Sequence, residues 1–322
     1  VVAVSDDADD WFDRALEDED DDGDDSTADD GGPDGDDSLF EEDFGSALHD
    51  ADAPAIDAEV GPDGDGPEGF DDLDFVLGGD EPDFDEAIDS ALPRIDLGIE
   101  GLDRMIQGGI PERSLLVAMG SAGTGKTTFG LQFLDHGLEQ GERAVFITLE
   151  ESRERVINSA TEKGYDFDEY AADGQLAVVD VDPIEMANSL ASIRNELPAL
   201  VEEFDASRLV LDSVSLLEMM YEDRAKRRNE IYDFARSLKE AGVTALLTSE
   251  ASSGTAYASR YGIVEYLTDA VFVLQYVRPD DFRETRLAIE IQKIRDANHS
   301  REKKPYEITG EGISVHQQAN LF

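Results

Sequence analysis

Three groups of residues in this chain have types and spacings suited to chemistry on a polyphosphate. The first is Gly-Ser-Ala-Gly-Thr-Gly-Lys-Thr at 120–127, a full match to G-x-x-x-x-G-K-(S/T). Gly120, Gly123 and Gly125 let the backbone curl until its N–H groups face inward. With a helix N-terminus behind them, such donors cradle phosphate oxygens. The candidate cradle comprises Gly120, Ser121, Ala122, Gly123, Thr124, Gly125, Lys126, Thr127 and Thr128. Lys126 is expected to reach the β- and γ-phosphates, and Thr127 to hold Mg²⁺ through its hydroxyl.

The second group consists of carboxylates at the ends of apolar runs. Arg-Ala-Val-Phe-Ile-Thr-Leu (143–149) closes on Glu150 and Glu151, either of which could orient or deprotonate an attacking water. Ser-Arg-Leu-Val-Leu (207–211) closes on Asp212, the place for an aspartate that holds Mg²⁺ through water. Val-Thr-Ala-Leu-Leu-Thr (243–248) closes on Ser249 and Glu250, where a γ-phosphate sensor is expected. The third group is Ile-Gln-Lys-Ile-Arg-Asp-Ala-Asn-His-Ser-Arg-Glu-Lys-Lys (291–304), which gathers cations in a chain of net charge -51. Cations are most valuable where a transition state spreads charge over phosphate oxygens.

These residues need a scaffold that brings strand ends together. Ser-Leu-Leu-Val-Ala-Met-Gly (114–120) is a short apolar run that reads as a buried strand. After it, Phe129, Phe133, Leu134 and Leu138 recur on one helical face and Gly141 stops the pattern. Further strands are expected at 143–149, 175–181, 207–212 and 243–250, with helices at about 183–197 and 223–241. Residues 269–277 and 285–294 read as hairpin strands turning at Pro279-Asp280-Asp281, and 305–315 as a small closing hairpin. The expected fold is a three-layer α/β domain with a mostly parallel sheet and C-terminal antiparallel strands. It spans residues 92–316, with 317–322 as a C-terminal end.

Residues 1–91 differ in texture. Residues 1–90 hold 37 of the 77 acidic side chains and one of the 26 Lys+Arg, so an acidic, disordered tail is expected. Within it Phe12–Asp18, Phe44–Asp50 and Phe84–Ser90 share F-x-x-A-(L/I)-x-(D/S). Each would place Phe and the residues at i+3 and i+4 on one helical face, as docking motifs for an unknown protein partner do. Chance recurrence in an acidic stretch is the alternative. Only seven cations are lysines, a balance that suggests work at molar salt, where the Debye length is about 3 Å. The absence of cysteine excludes disulfides and thiolate metal sites. No apolar run approaches a membrane span, and a soluble, cytoplasmic protein is expected.

Residues 92–316 resemble the KaiC-type ATPase domain of the RecA/RadA superfamily. The resemblance rests on LGIEGLDRMIQGGIPERS (97–114), the phosphate loop, ITLEES (147–152), SRYGIVEYLTDAVFVL (259–274) and KIRDANH (293–299). It implies a RecA-like fold, ATP and Mg²⁺ as ligands, slow hydrolysis, a regulatory or signalling role, and a homo-oligomer in the family's hexameric form. It also implies that Lys293 and Arg295 act on the nucleotide of a neighbouring protomer, with His299 lining that interface. Arg260, beside a signature segment, is a weaker interface candidate. The clock proteins of this family carry two such domains, and this chain carries one. Where their phosphorylating domain has adjacent Ser and Thr, this chain has Glu265 and Tyr266, which argues against autophosphorylation there. Two other functions remain open: a DNA-binding recombinase paralogue using Arg224, Lys226, Arg227 and Arg228, and a nucleotide switch that does not hydrolyse ATP. DNA is disfavoured, because those cations can pair with Glu222, Asp223 and Glu230 and the chain is so acidic.

Overall fold

The computed structural model describes residues 92–278 and 285–317. The acidic stretch with its three Phe motifs, the expected turn at 279–281 and residues 318–322 lie outside the described residues.

A two-stranded antiparallel ribbon, β1 (Arg94–Ile95) with β2 (Ile110–Pro111), encloses the short α1 (Glu100–Asp103). The main body then runs β3 (Leu115–Gly120), α2 (Lys126–Glu139), β4 (Arg143–Thr148), α3 (Arg153–Thr161), α4 (Phe167–Ala172) and β5 (Leu176–Asp180). It continues through α5 (Pro183–Asn188), α6 (Leu190–Phe204), β6 (Ala206–Asp212), α7 (Val214–Met219), α8 (Arg224–Glu240) and β7 (Thr244–Ser252). The last part is β8 (Thr255–Ser259), α9 (Val264–Leu267), β9 (Ala270–Val277), β10 (Arg286–Ile294), β11 (Lys304–Thr309) and β12 (Gly312–Val315). One ten-stranded sheet has the order β12-β11-β10-β9-β3-β7-β6-β4-β5, with β8 paired to the end of β7. The six strands from β9 to β5 are parallel. β10, β11 and β12 extend the sheet antiparallel beyond β9.

Strand alternation divides the interior into two cores. In β3, Leu115, Val117 and Met119 enter one core, whereas Leu116 and Ala118 enter the other. All six residues of β3 are buried, as expected of a parallel strand covered on both faces. The first core is closed by α5, α6, α7 and α8, the second by α2, α3 and α4, which completes three layers. Arg208 of β6 ties the second side together. Its guanidinium, 1% exposed, pairs with Glu142 at 2.7 Å and donates to the carbonyls of Asp96 and Phe133, each at 3.0 Å. Removing either partner of such a buried pair typically costs about 3–5 kcal/mol.

The helix expected over 183–197 is in fact two helices. α5 ends at Asn188, Ser189 caps it, and α6 then runs from Leu190 to Phe204 with Pro198 inside it. Proline removes one helical hydrogen bond, but Leu197, Leu200, Val201 and Phe204 bury the face around it, so tertiary packing overrides the local penalty. The sequence reading also omitted β1, α1, β2, α3, α4, α7, β8 and α9, all short elements.

Glu218 of α7 is fully buried, and neither carboxylate oxygen has a hydrogen-bond partner among the described residues. Burial pushes its pKa from 4.5 up to about 8; Glu265 adds to the rise, while Arg227 and Arg260 oppose it. The folded state therefore holds a proton here that the unfolded chain releases. This contribution to stability is complete below pH 4.5 and is lost as pH rises through about 8, with a slope of up to ~1.4 kcal/mol per pH unit. Glu218→Gln should stabilise the protein increasingly from about pH 4.5 to about pH 8 and level off above, read as the difference in denaturant midpoint from the native chain. A difference that does not grow with pH would rule this out.

Candidate nucleotide site

The phosphate loop leaves β3 and enters α2 through Gly125, whose φ of 86° lies in the left-handed region, as does the 79° of Gly123. A Cβ on Gly120 would stand 2.4 Å from Thr124 Oγ1 and 2.5 Å from the Leu274 carbonyl oxygen, so only glycine fits. Thr124 is buried, and its hydroxyl donates to the Ser121 carbonyl at 2.8 Å. The Tyr306 hydroxyl donates to the Thr124 carbonyl at 2.5 Å and ties the loop to β11. Ser121, Ala122 and Gly123 are exposed at the loop crest, and Thr127 and Thr128 are half-buried in the first turn of α2. Lys126 Nζ donates to the carbonyls of Gly120 and Ser121 at 3.1 and 3.2 Å. Burial lowers its pKa, against the opposing pull of Asp212, Glu250 and Glu150.

Asp212, at the end of β6, is 5% exposed. Its Oδ2 accepts from Thr127 Oγ1 at 2.7 Å, and its Oδ1 accepts from the Thr248 hydroxyl. Two adjacent oxygen donors at a phosphate loop fit Mg²⁺, which keeps most of its waters and takes few protein ligands. The loop, with Gly123 and Gly125 in the left-handed region and the N-terminus of α2 directly behind them, fits a polyphosphate.

The two glutamates after β4 part company. Glu150 Oε1 accepts from Ser213 Oγ at 2.9 Å. Burial raises the Glu150 pKa; the Ser213 bond and Lys126 oppose this, while Asp212 and Glu250 reinforce it. Glu151 instead pairs with Arg155 of α3 at 3.1 Å. Both backbone N–H groups donate to Thr148 Oγ1, which holds this turn in place.

Within β7, which runs on to Ser252, Ser249 faces away from the loop. It is fully buried, 3.2 Å from Ser215 Oγ. Thr248 and Glu250 occupy the loop-facing side by strand alternation, and Glu250 is paired with Arg260 at 2.7 Å. Thr248 and Ser213 are site residues that the sequence reading missed; the parity of β7 could have supplied the first. Tyr276 and Ile308, exposed by 48% and 39%, also stand beside the loop. A Cβ on Gly123 would meet Tyr276 Oη at 2.8 Å, and one on Gly125 would meet Ile308 Cδ1 at 2.8 Å.

The C-terminal cations lie elsewhere. Lys293 is opposite Val271 in β9, and Val271 is opposite Val117 in β3, three residues before Gly120. Arg295 lies farther still, about 16 Å along the strands from the phosphate loop at ~3.3 Å per residue. Its guanidinium donates to Asp269 Oδ1 at 3.1 Å, and its N–H to the Asp269 carbonyl at 2.9 Å. Lys239 shares the same Oδ1 at 2.8 Å. Burial lowers the Lys293 pKa, and Arg295 and Lys239 lower it further. His299 bridges to Ile106, with Nδ1 3.0 Å from the Ser300 carbonyl. Lys303 and Lys304 pair with Glu290 and Glu302. In α8 the expected pairing differs: Glu230 takes Arg194 at 2.7 Å, and Arg227 donates to the Glu218 and Tyr221 carbonyls.

Residues 95–320 match the family described as "ATPase: KaiC". The circadian clock oscillator protein KaiC of Acaryochloris marina is 34% identical over 225 residues, 67% of this chain and 42% of that protein. That of Synechococcus elongatus is 31% identical over 233 residues, 70% of this chain and 44% of that protein. The chain thus spans less than half the length of the curated relatives it matches. A solved KaiC-like protein of the hyperthermophilic archaeon Pyrococcus horikoshii has 35% identity and a TM-score of 0.62, with 70% of this chain and all of that chain covered. No helix among the described residues is long and apolar enough to cross a membrane. Fold, phosphate loop and match agree: the chain belongs to the KaiC-type ATPase domains of the RecA superfamily.

Proposed function

We propose that this chain binds Mg²⁺–ATP at the phosphate loop, hydrolyses it slowly and works as a regulatory homo-oligomer whose sites are completed between protomers. The observation that carries this reading is the separation of two half-sites. Lys126, Thr127, Asp212 and Glu150 converge at the carboxyl ends of the parallel strands, while Lys293 and Arg295 stand about 10 and 16 Å away along the strands.

The backbone N–H groups of 120–127 bind the β- and γ-phosphates, with Lys126 turning from the Gly120 and Ser121 carbonyls toward them. Thr127 and Asp212 would hold Mg²⁺, which neutralises charge on the phosphate oxygens. Glu150, its pKa raised and its oxygen fixed by Ser213, accepts a proton from the attacking water. Tyr276 and Ile308 offer a flat apolar surface for the base. Arg295 and Lys293 of a neighbour then meet the charge that develops on the γ-phosphate. A ring is the closed form of such a head-to-tail interface, and six protomers are the family's number.

Hydrolysis per protomer in molar KCl with Mg²⁺ should climb with protein concentration and saturate as interfaces form. Where the rate does not vary, size measurements distinguish a permanent ring, which keeps the proposal, from an active monomer, which ends it. No hydrolysis at any concentration would reduce the protein to a nucleotide switch.

A further inference from the structure

A cleft of ≈ 1020 Å³ opens between the N-terminal half of α8 and the segment 260–267. It is unusual for this molecule, because four arginines line it: Arg224, Arg227, Arg228 and Arg260. Two of them are spoken for. Arg227 is held by the carbonyls of Glu218 and Tyr221 and stacks 4.0 Å over the Tyr261 ring, and Arg260 is paired with Glu250. Arg224 and Arg228 are exposed and form no ion pair among the described residues. Tyr266 and Tyr232 stand 74% and 53% exposed at its mouth, above apolar Ile263 and Leu267. Unpaired guanidinium groups beside exposed aromatic rings make a receptor for something both acidic and aromatic.

The chain itself carries such a ligand. Trp11-Phe12-Asp13-Arg14-Ala15-Leu16-Glu17-Asp18 places an aromatic pair before apolar residues at i+3 and i+4 of Phe12. Four aspartates lie just before it, at 6, 7, 9 and 10, and Glu17, Asp18, Glu19 and Asp20 follow. We infer that this segment, residues 6–20, docks in the arginine–tyrosine cleft. Its aromatic pair packs among Tyr232, Tyr266 and Ile263, and its acidic flanks meet Arg224 and Arg228. The residues between it and Leu92 provide ample contour at up to ~3.3 Å each to reach any face of the domain. Tethering raises the local concentration to the order of millimolar, so a weak contact suffices.

A nucleic acid is the poorer occupant. It would meet a chain of net charge -51, and phosphate contacts weaken steeply with salt. In molar KCl a tethered peptide keeps its apolar contacts, which salt does not screen.

Trp11 is the only tryptophan in the chain, so its fluorescence reports on this segment in the unmodified full-length protein. In molar KCl its emission should be blue-shifted and shielded from acrylamide. Arg224→Glu with Arg228→Glu should lower the docked-to-free ratio roughly tenfold, the equivalent of about 1.4 kcal/mol, and make Trp11 quenchable. Tyr266→Ser, an uncharged change at the mouth, should act in the same direction without altering the fold as seen by far-UV circular dichroism. A fully hydrated Trp11 in the native protein overturns the proposal. So does a shielded Trp11 that neither variant releases. None of these readouts depends on ATP hydrolysis.

Discussion

Arg295→Ala should lower ATP turnover per protomer by roughly 10³-fold or more, the range for removal of an arginine that meets the transferring phosphoryl group. Nucleotide binding should change far less, because the loop, Lys126, Thr127 and Asp212 are untouched. The loss of the Arg295–Asp269 contact does not explain such an effect. Arg295 is 55% exposed, Asp269 keeps Lys239 at 2.8 Å, and an exposed pair is worth only ~0–1 kcal/mol. The decisive version mixes Arg295→Ala with Glu150→Gln protomers. In a head-to-tail ring, an Arg295→Ala protomer keeps its glutamate and receives Arg295 from a Glu150→Gln neighbour. At equal mixing about one quarter of interfaces should regain activity, although each variant alone is nearly inert. If mixing restores nothing, Arg295 acts on its own protomer's nucleotide or on none. That result would remove the argument for sites shared between subunits.

What could be read in advance followed how local its physics is. The phosphate loop was legible because its glycines answer to backbone geometry within eight residues, and the structure shows the clashes that any side chain there would cause. β3 and α2 were legible because burial writes its period directly into Leu115–Gly120 and Phe129–Leu138. Residues brought in from afar were not. Tyr276 and Ile308 reach the loop only because β9 and β11 lie in one sheet with β3, a pairing that no spacing in the sequence reveals. The break at Ser189 and the continuation through Pro198 invert local propensity, because the packing of α6 outweighs it. Ser249 was assigned by its place at a strand end, but strand parity hands the loop-facing side to Thr248. The cation cluster at 293–304 divides in the same way. Lys303 and Lys304 are neutralised by neighbouring glutamates, which leaves Lys293 and Arg295 as an excess of positive charge around Asp269.

Glu150→Gln should cost about 10²–10⁴ in turnover, whereas Glu151→Gln should cost little. Sequence alone makes the two glutamates equivalent, and their surroundings separate them. Glu150 is partly desolvated, fixed by Ser213 at 2.9 Å and coupled electrostatically to Lys126 and Asp212. Glu151 turns to Arg155, an i,i+4 pair on a solvated helix start worth at most ~1 kcal/mol. The same contrast sets a pH signature. Burial raises the Glu150 pKa above its ordinary value of 4.5, so a larger share of the enzyme is protonated and inactive on the acid side. The acid limb of the pH–rate profile should therefore lie above the usual glutamate range, and Glu150→Gln should flatten it. Ser213→Ala removes a hydrogen bond that favours the charged carboxylate, so it should move that limb to still higher pH with only a modest loss of plateau rate. Single-turnover hydrolysis across pH for the four proteins reads all of this at once. Equal losses in Glu150→Gln and Glu151→Gln, or a limb that Ser213→Ala leaves in place, would show that the water is activated from elsewhere. The next group to test would then be Glu250, which lies on the loop-facing side of β7 and is held by Arg260.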